Sequence, residues 1–356
     1  MSTRPYIDKV FLGSVVLLTV AGFLVFSSAS LGLLARDGAS FKSVAINQSL
    51  GLIIGAMAFV VMSKVNYKFL RKFAFYIFLG AILLNLLLFI PSLTLTHGGA
   101  SRWIDLGFIT FQPSEFLKFA FVIYFAAWLS SVKEKVASFK LGIVPYVTLL
   151  VLLSGLLLSQ SDTDTLVVIA GTGLVMLFAA GARIRDLLLL GCVLLILVGS
   201  VIYFRPYARQ RIMTFLHPTA DTQGAGYQIQ QSLIAIGSGQ IAGRGFGQSV
   251  QKFKYLPEPI GDSIFAVGAE EFGFIGSISL ILLFLLFIFR SIKISARAPD
   301  AFASLTVIGI AVFVTVESFM NISSMIGILP LAGMPLLFVS HGGTALIIVL
   351  GAMGVI

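Results

Sequence analysis

The residues that could carry chemistry are charged side chains within segments that are otherwise apolar. Seven of them stand out, five within such segments and two at the start of one: Glu115, Lys118, Glu270, Glu271 and Glu317, and then Asp162 and Asp164. An i, i+3 spacing places Glu115 and Lys118 on one helix face, where they can form an ion pair. Adjacent Glu270 and Glu271 point about 100° apart on a helix, so at most one of them can face a given cavity. Because a charge inside a bilayer costs roughly 2.5–3.5 kcal/mol, we interpret such residues as functional or as neutralised pairs that fix helix packing.

A second group combines many cations with glycines and one carboxylate, Asp262. The segment 205–262 carries six basic residues: Arg205, Arg209, Arg211, Arg244, Lys252 and Lys254. It also carries six glycines between Gly237 and Gly261. Basic side chains and backbone amides exposed by glycine suit a ligand that bears phosphate. Asp262 itself could be no more than a helix N-cap, a common use of a carboxylate at that position.

Other signatures of chemistry are weaker or missing. Arg102 and Trp103 precede the segment that contains Glu115, and such a tryptophan commonly anchors a chain at the membrane interface. The glycine run GSGQIAGRGFG lacks the G-x-x-x-x-G-K-[ST] pattern of a nucleotide loop. The three histidines are far apart, without a cysteine pattern that would suit zinc. We therefore expect no nucleotide and no organic cofactor.

These residues lie in a chain that is too apolar to be soluble. Hydrophobic residues make up 58% of its 356 residues and charged residues 11%, against about 45–50% and about 25% in soluble domains. The mean hydropathy is +1.03. The chain has one cysteine, which excludes a disulfide scaffold. We expect Cys192, in the apolar run GCVLLILVG, to pack in the core.

The apolar segments predict an all-α polytopic membrane protein with ten transmembrane helices, since each span needs about 20 apolar residues. The predicted spans are Val10–Leu34, Ala45–Met62, Phe69–Ile90, Pro113–Leu129, Leu141–Leu158, Thr165–Ala180, Leu187–Phe204, Ser263–Phe289, Ala301–Ile322 and Pro335–Ile356. They form one membrane domain over residues 1–356. The long loop 205–262, between the seventh and eighth spans, is expected to be partly folded and to lie close to the membrane.

Loop charges predict the orientation of the chain. With the N-terminus in the cytoplasm, the inner segments contain 14 of the 24 basic residues, and the short outer loops contain three, Arg36, Lys42 and Arg102. This asymmetry follows the positive-inside rule, and ten spans then place both termini in the cytoplasm. The long loop lies outside the cell, so the net charge of +9 does not indicate nucleic-acid binding.

Five stretches together resemble one known family. They are GGASRWIDLG…FQPSEFLKFA (98–120), QSDTDT (160–165), GAGYQIQQSLIAIGSGQIAGRGFGQSVQKFKYLPEP (224–259), DSIFAVGAEEFGFIG (262–276) and NISSMIGILPLAGMPLLFVSHGGTA (321–345). The chain resembles the SEDS family of bacterial cell-wall proteins, which includes FtsW, RodA and SpoVE. The step from the glycine run to Asp262 is more similar to FtsW or SpoVE than to RodA.

The resemblance implies a peptidoglycan glycosyltransferase that acts on lipid II in cell division or cell-wall synthesis. It implies a bacterial cytoplasmic membrane location and a class B penicillin-binding protein as partner, alongside other divisome or elongasome proteins. Asp262 matches the family's essential aspartate, although Ile260 and Gly261 before it differ from the family pair. The family's Pro-Asp-x-Gly reads Ser-Asp-Thr-Asp here, so Asp164 stands in place of glycine. The usual Ser-Tyr-Gly-Gly reads Ser-His-Gly-Gly at 340–343, and a common Gln reads Glu317.

The resulting hypothesis makes Asp262 a general base that takes a proton from a sugar hydroxyl while undecaprenyl pyrophosphate leaves. Cationic side chains, or a divalent cation such as Mg²⁺ or Mn²⁺, could stabilise the leaving group. The substrate-binding candidates are Arg102, Trp103, Glu115, Lys118, Arg205, Arg209, Arg211, Arg244, Lys252 and Glu258.

Two alternatives fit the composition and the span count equally well. A lipid II flippase would use the intramembrane charges Glu115, Lys118 and Glu317 as a polar path. A non-catalytic divisome scaffold would recruit the penicillin-binding protein without chemistry of its own. A polymerase needs its essential charges around Asp262 at the outer surface, a flippase needs them near the midplane, and a scaffold can dispense with Asp262.

Overall fold

Most of the chain is helical, in the order that the hydropathy pattern predicts. The structure, a computed structural model, describes residues 7–35, 41–97, 100–105, 110–204, 206–217 and 224–356. The helices in these ranges are α1 (Lys9–Ser30), α2 (Phe41–Lys64), α3 (Tyr67–Leu86), α4 (Pro113–Val132), α5 (Val144–Ser159), α6 (Thr163–Ala179), α7 (Ile184–Phe204), α8 (Pro206–Leu216), α9 (Ala225–Ser238), α10 (Gln251–Lys254), α11 (Ile264–Ser295), α12 (Ala301–Met325) and α13 (Gly343–Val355). Short 3-10 or π turns extend α1, α3 and α4 and precede α5.

The chain is a multi-pass membrane protein. Within the described ranges, eight helices are long and apolar enough to cross a membrane, namely α1 to α5, α7, α11 and α12. Two more, α6 and α13, are apolar but shorter, with 17 and 13 residues. The predicted count of ten requires that these two cross as well, and it stays a prediction.

Helices α4 and α12 form the centre of the bundle. Both are largely buried, whereas α7 exposes most of its surface. α12 packs against α4, α6 and α11, while α1 packs on α11 and α2 on α13. Gly309 of α12 lies so close to Val122 and Met176 that a Cβ there would overlap with both. A small residue at this contact lets three helices approach closely, as is common in membrane bundles.

The all-α prediction missed a small antiparallel sheet between α3 and α4. Its strands are β1 (Thr94–His97), β2 (Ala100–Asp105) and β3 (Thr110–Phe111), in the order β1-β2-β3. The sheet is tied to α13 because Thr344 Oγ1 donates a hydrogen bond to the Thr110 carbonyl at 2.8 Å. The sequence pair Gly98-Gly99, between the stretches TLTH and ASRWID, is a hairpin signal that could have predicted the first two strands.

Two further predictions are wrong. Cys192 is exposed on α7 and does not pack in the core, because α7 contacts its neighbours so little. The tenth span was predicted to start at Pro335, but α13 begins only at Gly343. The residues between α12 and α13 (326–342, the linking segment) are largely irregular. Side chains of Asn321 and Ser340 hydrogen-bond this irregular backbone, which allows it to be buried.

Helix α11 is broken at Gly273, whose φ of 65° and ψ of −162° are not helical. Four backbone hydrogen bonds from residues 239–247 (the glycine loop) replace the missing ones: Arg244 N to Glu270 O (3.0 Å), Gly245 N to Glu271 O (3.0 Å), Phe274 N to Gln240 O (2.9 Å) and Ile275 N to Ile241 O (3.2 Å). Gly243 and Gly273 leave no room for a Cβ. The amides of Arg244 and Gly245 are therefore engaged with α11 and do not face a ligand, while phosphate binding by the rest of the glycine-rich stretch stays a prediction.

Candidate active site

Asp262 lies immediately before α11, at the end of the long loop, and it does not cap the helix. Ser263 occupies the N-cap position, and no side chain caps α11. The Ser263 hydroxyl instead accepts a hydrogen bond from Gln228 Nε2 of α9 at 2.9 Å. The Asp262 side chain is partly exposed. Its carboxylate is therefore available for a role other than capping.

The backbone around Asp262 is fixed by α12 and the linking segment. Three hydrogen bonds do this: Asn321 Nδ2 to Asp262 O (2.8 Å), Ser340 Oγ to Gly261 O (2.8 Å) and His341 N to Ile260 O (2.7 Å). Asn321 Nδ2 also donates to the Met334 carbonyl at 2.8 Å, so one amide group joins the two segments. This arrangement sets the position of the carboxylate with rigid, buried elements.

Charged side chains from α6 and α8 meet Asp262 beside Gly333. Arg211 Nη1 of α8 donates to both carboxylate oxygens of Asp164 in α6, at 3.0 and 2.9 Å. The amide of Gly333 donates to Asp164 Oδ2 at 3.2 Å. A Cβ at Gly333 would lie 3.3 Å from Arg211 Nη2, 3.7 Å from Asp262 Oδ2 and 3.8 Å from Asp164 Oδ2. These three side chains thus surround the same glycine.

This environment disfavours the ionised form of Asp262. Burial, together with the carboxylates of Glu258 and Asp164, raises the pKa of Asp262 to about 7. The guanidinium groups of Arg211 and Arg102 act in the opposite direction. A carboxylate with a pKa near neutral pH is suited to accept a proton and pass it on, because a general base works best when its pKa lies near the working pH.

Arg102 of β2 holds the start of α6. Its guanidinium is buried, donates a hydrogen bond to the Ser161 carbonyl and lies 3.6 Å from Asp162 Oδ1. Asp162 is the N-cap of α6 and accepts from Thr165 N at 3.4 Å. Trp103 follows on β2 and is partly buried. Arg102 therefore acts on Asp262 through space, while its direct ion pair is with Asp162.

The predicted pair of Glu115 and Lys118 is confirmed, and Glu317 joins it. Lys118 Nζ lies 2.8 Å from Glu115 Oε1 and also contacts Glu317 Oε2 of α12. All three side chains are buried between α4 and α12. One oxygen of each carboxylate, Glu115 Oε2 and Glu317 Oε1, has no hydrogen-bond partner among the described residues. Sequence spacing could not predict the third member, because it lies on a distant helix.

Lys252 lies in a buried polar cluster next to the glycine loop, where its Nζ also donates to the Gly247 carbonyl. Its Nζ contacts Glu271 Oε1 at 2.7 Å and the Ser28 hydroxyl of α1 at 2.8 Å. Glu270 accepts hydrogen bonds from the Ser249 hydroxyl at 2.6 Å and from two following amides. The two adjacent glutamates thus have different main partners, Lys252 and Ser28 for Glu271 and the residues 249–251 for Glu270, and both are buried. Lys252 is fully buried there, away from Asp262.

The other predicted residues are spread along the long loop. Arg209 is exposed on α8. Arg244 is partly exposed, with its Nε 3.5 Å from Glu270 Oε1. Glu258 precedes Asp262 with a positive φ of 44°, and its carbonyl accepts the amides of Gly261 and Ser263 at 3.1 Å. Arg205 lies outside the described residues.

Comparison with known proteins identifies the family. The family profile described as cell cycle protein, which covers FtsW, RodA and SpoVE, matches residues 8–356. The chain belongs to the FtsW/RodA/SpoVE family. It is 38% identical over 352 residues to the probable peptidoglycan glycosyltransferase FtsW of Geobacter sp. (strain M18), covering 98% of this chain and 95% of the relative. It is 36% identical over 343 residues to stage V sporulation protein E of Bacillus subtilis (strain 168), covering 96% and 93%.

A solved structure supports the fold of this FtsW/RodA/SpoVE chain. One chain of a peptidoglycan synthase complex, described as coordinating polymerization and crosslinking, superposes with a TM-score of 0.75. The two chains are 25% identical, and the match covers 94% of this chain and 95% of that one. The helical architecture found here is therefore that of a known FtsW/RodA/SpoVE-type membrane protein.

Proposed function

We propose that this chain is a peptidoglycan glycosyltransferase that polymerises lipid II at the outer face of the bacterial cytoplasmic membrane. The names of its relatives support the activity. One observation carries the assignment of the site, namely that the partly exposed Asp262 carboxylate has a pKa of about 7 and lies beside a guanidinium. Glycosyl transfer with a pyrophosphate leaving group needs a base to remove the hydroxyl proton and a cation to stabilise the leaving group.

In the proposed step, an acceptor sugar hydroxyl attacks the anomeric carbon of a second lipid II molecule. A carbon–oxygen bond forms there, and the bond from the same carbon to the pyrophosphate oxygen breaks. Asp262 takes the hydroxyl proton, and undecaprenyl pyrophosphate departs with the bonding electron pair. General-base assistance of this kind contributes about 10²–10⁴-fold to the rate.

The departing pyrophosphate builds negative charge, which the cations of the site would stabilise. Arg211 is the first candidate because it shares the surroundings of Gly333 with Asp262 and favours ionisation of Asp262 more than Arg102 does. Arg209 and Arg244 are exposed enough to reach a lipid headgroup. A divalent cation stays a prediction from the sequence. Among the residues that the structure describes, no three His, Cys, Asp or Glu side chains are grouped to bind a metal, and no step is assigned to one.

The proposed partners follow from the family. A class B penicillin-binding protein would cross-link the strands that this chain polymerises, with other divisome or elongasome proteins in the same assembly. The structural neighbour within a peptidoglycan synthase complex supports an assembly of this kind. Both termini would lie in the cytoplasm, and the loop with Asp262 outside.

The test is polymerisation of lipid II by purified protein with its cognate class B penicillin-binding protein. We compare wild type, Asp262→Asn and the matched control Asp300→Asn. Asp300 caps α12 at the end opposite Asn321, accepting from Ala303 N at 2.8 Å, and asparagine can also act as an N-cap. We expect glycan ladders from wild type and the control, and a loss of about 10²-fold or more in Asp262→Asn.

Other outcomes separate the alternatives. Normal polymerisation by Asp262→Asn would show that the base role is wrong. If folded, partner-bound wild type makes no glycan, the glycosyltransferase is rejected, and a lipid II transport assay with Lys118→Met separates a flippase from a scaffold. The flippase predicts transport that Lys118→Met abolishes, and the scaffold predicts no transport at all.

A further inference from the structure

Asp164 is a buried carboxylate that joins three separate elements of the site. It lies in the first turn of α6, binds Arg211 of α8 through both oxygens and accepts the Gly333 amide of the linking segment. It occupies the position at which the family resemblance has glycine. A glycine has no side chain to make these contacts, so they belong to the chemistry of this chain in particular.

The contact between Asp164 and Arg211 fixes the direction of the guanidinium. Nη1 donates both hydrogen bonds to Asp164, while Nη2 lies 3.3 Å and Asp262 Oδ2 3.7 Å from the point that a Cβ of Gly333 would occupy. A charge-assisted pair of this kind is stronger than a neutral hydrogen bond and holds its partner in one orientation. The main helix contacts of α8 are with α7 and α9, and the pair of Asp164 and Arg211 links it to α6 as well.

Four charged groups act on Asp262 from the elements packed around it. Glu258 precedes it in the long loop, Asp164 faces it from α6, Arg211 from α8 and Arg102 from β2. The two carboxylates oppose its ionisation and the two guanidinium groups favour it. Asp164 and Arg211 therefore act on Asp262 with opposite signs, although they are bound to each other.

We propose that Asp164 is a positioning residue that holds Arg211 beside Asp262, where the guanidinium meets the pyrophosphate of the donor substrate. This inference rests on the proposed function. It assigns to Asp164 no contact with the reacting atoms, because its two oxygens are engaged by Arg211 and Gly333. Its effect on the donor pyrophosphate passes through Arg211, while its charge acts on Asp262 directly.

The experiment measures polymerisation rate against pH and lipid II concentration, with the penicillin-binding protein bound. The variants are Asp164→Asn, Arg211→Gln, the double variant and the control Asp186→Asn, a carboxylate in the first turn of α7. Asp164→Asn removes a negative charge near Asp262, so the acid limb of the profile moves to lower pH. Arg211→Gln removes a positive charge, so the limb moves to higher pH. We expect shifts of roughly one pH unit in each direction.

The double variant tests whether Asp164 acts through Arg211. Asp164→Asn should raise KM for lipid II several-fold in the wild-type background and leave it unchanged once Arg211 is glutamine, the mark of two coupled residues. Asp186→Asn should leave both the limb and KM as in wild type. Thermal unfolding and retention of the partner verify that each variant is folded.

Two results would overturn the inference while polymerisation itself stands. One is that both single variants keep the acid limb of wild type. The other is that the effects of Asp164→Asn and Arg211→Gln on KM simply multiply. If wild type makes no more glycan than Asp262→Asn, the proposed function fails instead, and the two failures are thereby distinguished.

Discussion

Asp262 has to ionise in a place that disfavours its charge. Its neighbours Glu258 and Asp164 are themselves acidic, and burial removes much of the water that would solvate a carboxylate. Arg211 and Arg102 offset only part of this. The consequence is a base that stays half-protonated near neutral pH, which suits proton transfer but lowers the stability of the folded chain.

Replacement of Asp262 by Asn should therefore stabilise the protein at high pH. The pKa of Asp262 is about 7 when folded and about 4 when unfolded, so its contribution to stability falls as pH rises between these values. Above pH 7 the full destabilisation is present, and Asn removes it. We expect Asp262→Asn to melt at a higher temperature than wild type at pH 8 and at the same temperature at pH 4. Equal melting temperatures at pH 8 would contradict the raised pKa.

Sequence spacing predicts contacts within one helix far better than contacts between helices. Glu115 and Lys118 could be paired from their i, i+3 spacing alone. Nothing in the sequence pairs Asp164 with Arg211 across 47 positions, because the contact depends on how α8 folds back on α6. Asn321 is similar, since its role comes from lying next to two irregular segments.

The glycine loop and α11 depend on each other at the level of secondary structure. The helix needs the loop to satisfy carbonyls and amides at its break, and the loop needs the helix to engage its own amides. Gly243 makes this possible because its φ is 81° and its Cα lies against the Glu271 carbonyl. The part of α11 between Ile264 and the break at Gly273, which follows Asp262 closely in the chain, is thereby held in place.

A pair of alanine substitutions isolates this close approach. Gly243 and Gly247 share a φ of 81°, but only at Gly243 would a Cβ overlap with backbone. Gly247→Ala should cost about 1–2 kcal/mol for the left-handed conformation. Gly243→Ala should cost more than this and also reduce polymerisation, because α11 must shift. The measurement is thermal unfolding in detergent. An equal drop in melting temperature for both variants would show that the close approach of Gly243 to α11 does not matter for stability.

Hydropathy predicts the long helices of this chain but not its irregular parts. The eight long apolar helices agree with predicted spans to within a few residues, since the bilayer selects for length and apolarity. Hydropathy also predicts residues 335–342, the second half of the linking segment, as the start of the tenth span, but α13 begins only at Gly343. The prolines and glycines of the linking segment, and the side chains of Asn321 and Ser340, favour a non-helical path instead.

Charged residues lie near both ends of α12, with a basic group near its first residue and Asp262 near its last. Asp300 and the basic residues Lys293 and Arg297 lie near its first residue, and Asn321 near its last residue contacts Asp262. The positive-inside rule assigns the end with Lys293 and Arg297 to the cytoplasm. Asp262 then lies outside, on the side where peptidoglycan is assembled under the proposed function.

Cysteine labelling in intact cells tests this orientation. Cys192 is the single cysteine and is exposed on α7, so Cys192→Ala provides a background at little cost in stability. In that background we expect a membrane-impermeant maleimide to label Phe246→Cys in the glycine loop. Arg297→Cys should react only after the membrane is permeabilised. The reverse pattern would place Asp262 in the cytoplasm and exclude polymerisation outside the cell.

The break in α11 also constrains how the protein enters the membrane. The glycine loop precedes α11 in the chain, so it leaves the ribosome first, and under the proposed orientation it has to cross the membrane. Until the loop returns, the carbonyls of Glu270 and Glu271 and the amides of Phe274 and Ile275 would be unpaired at the membrane, at several kcal/mol each. We therefore expect this span to reach its final structure only after the glycine loop has folded against it.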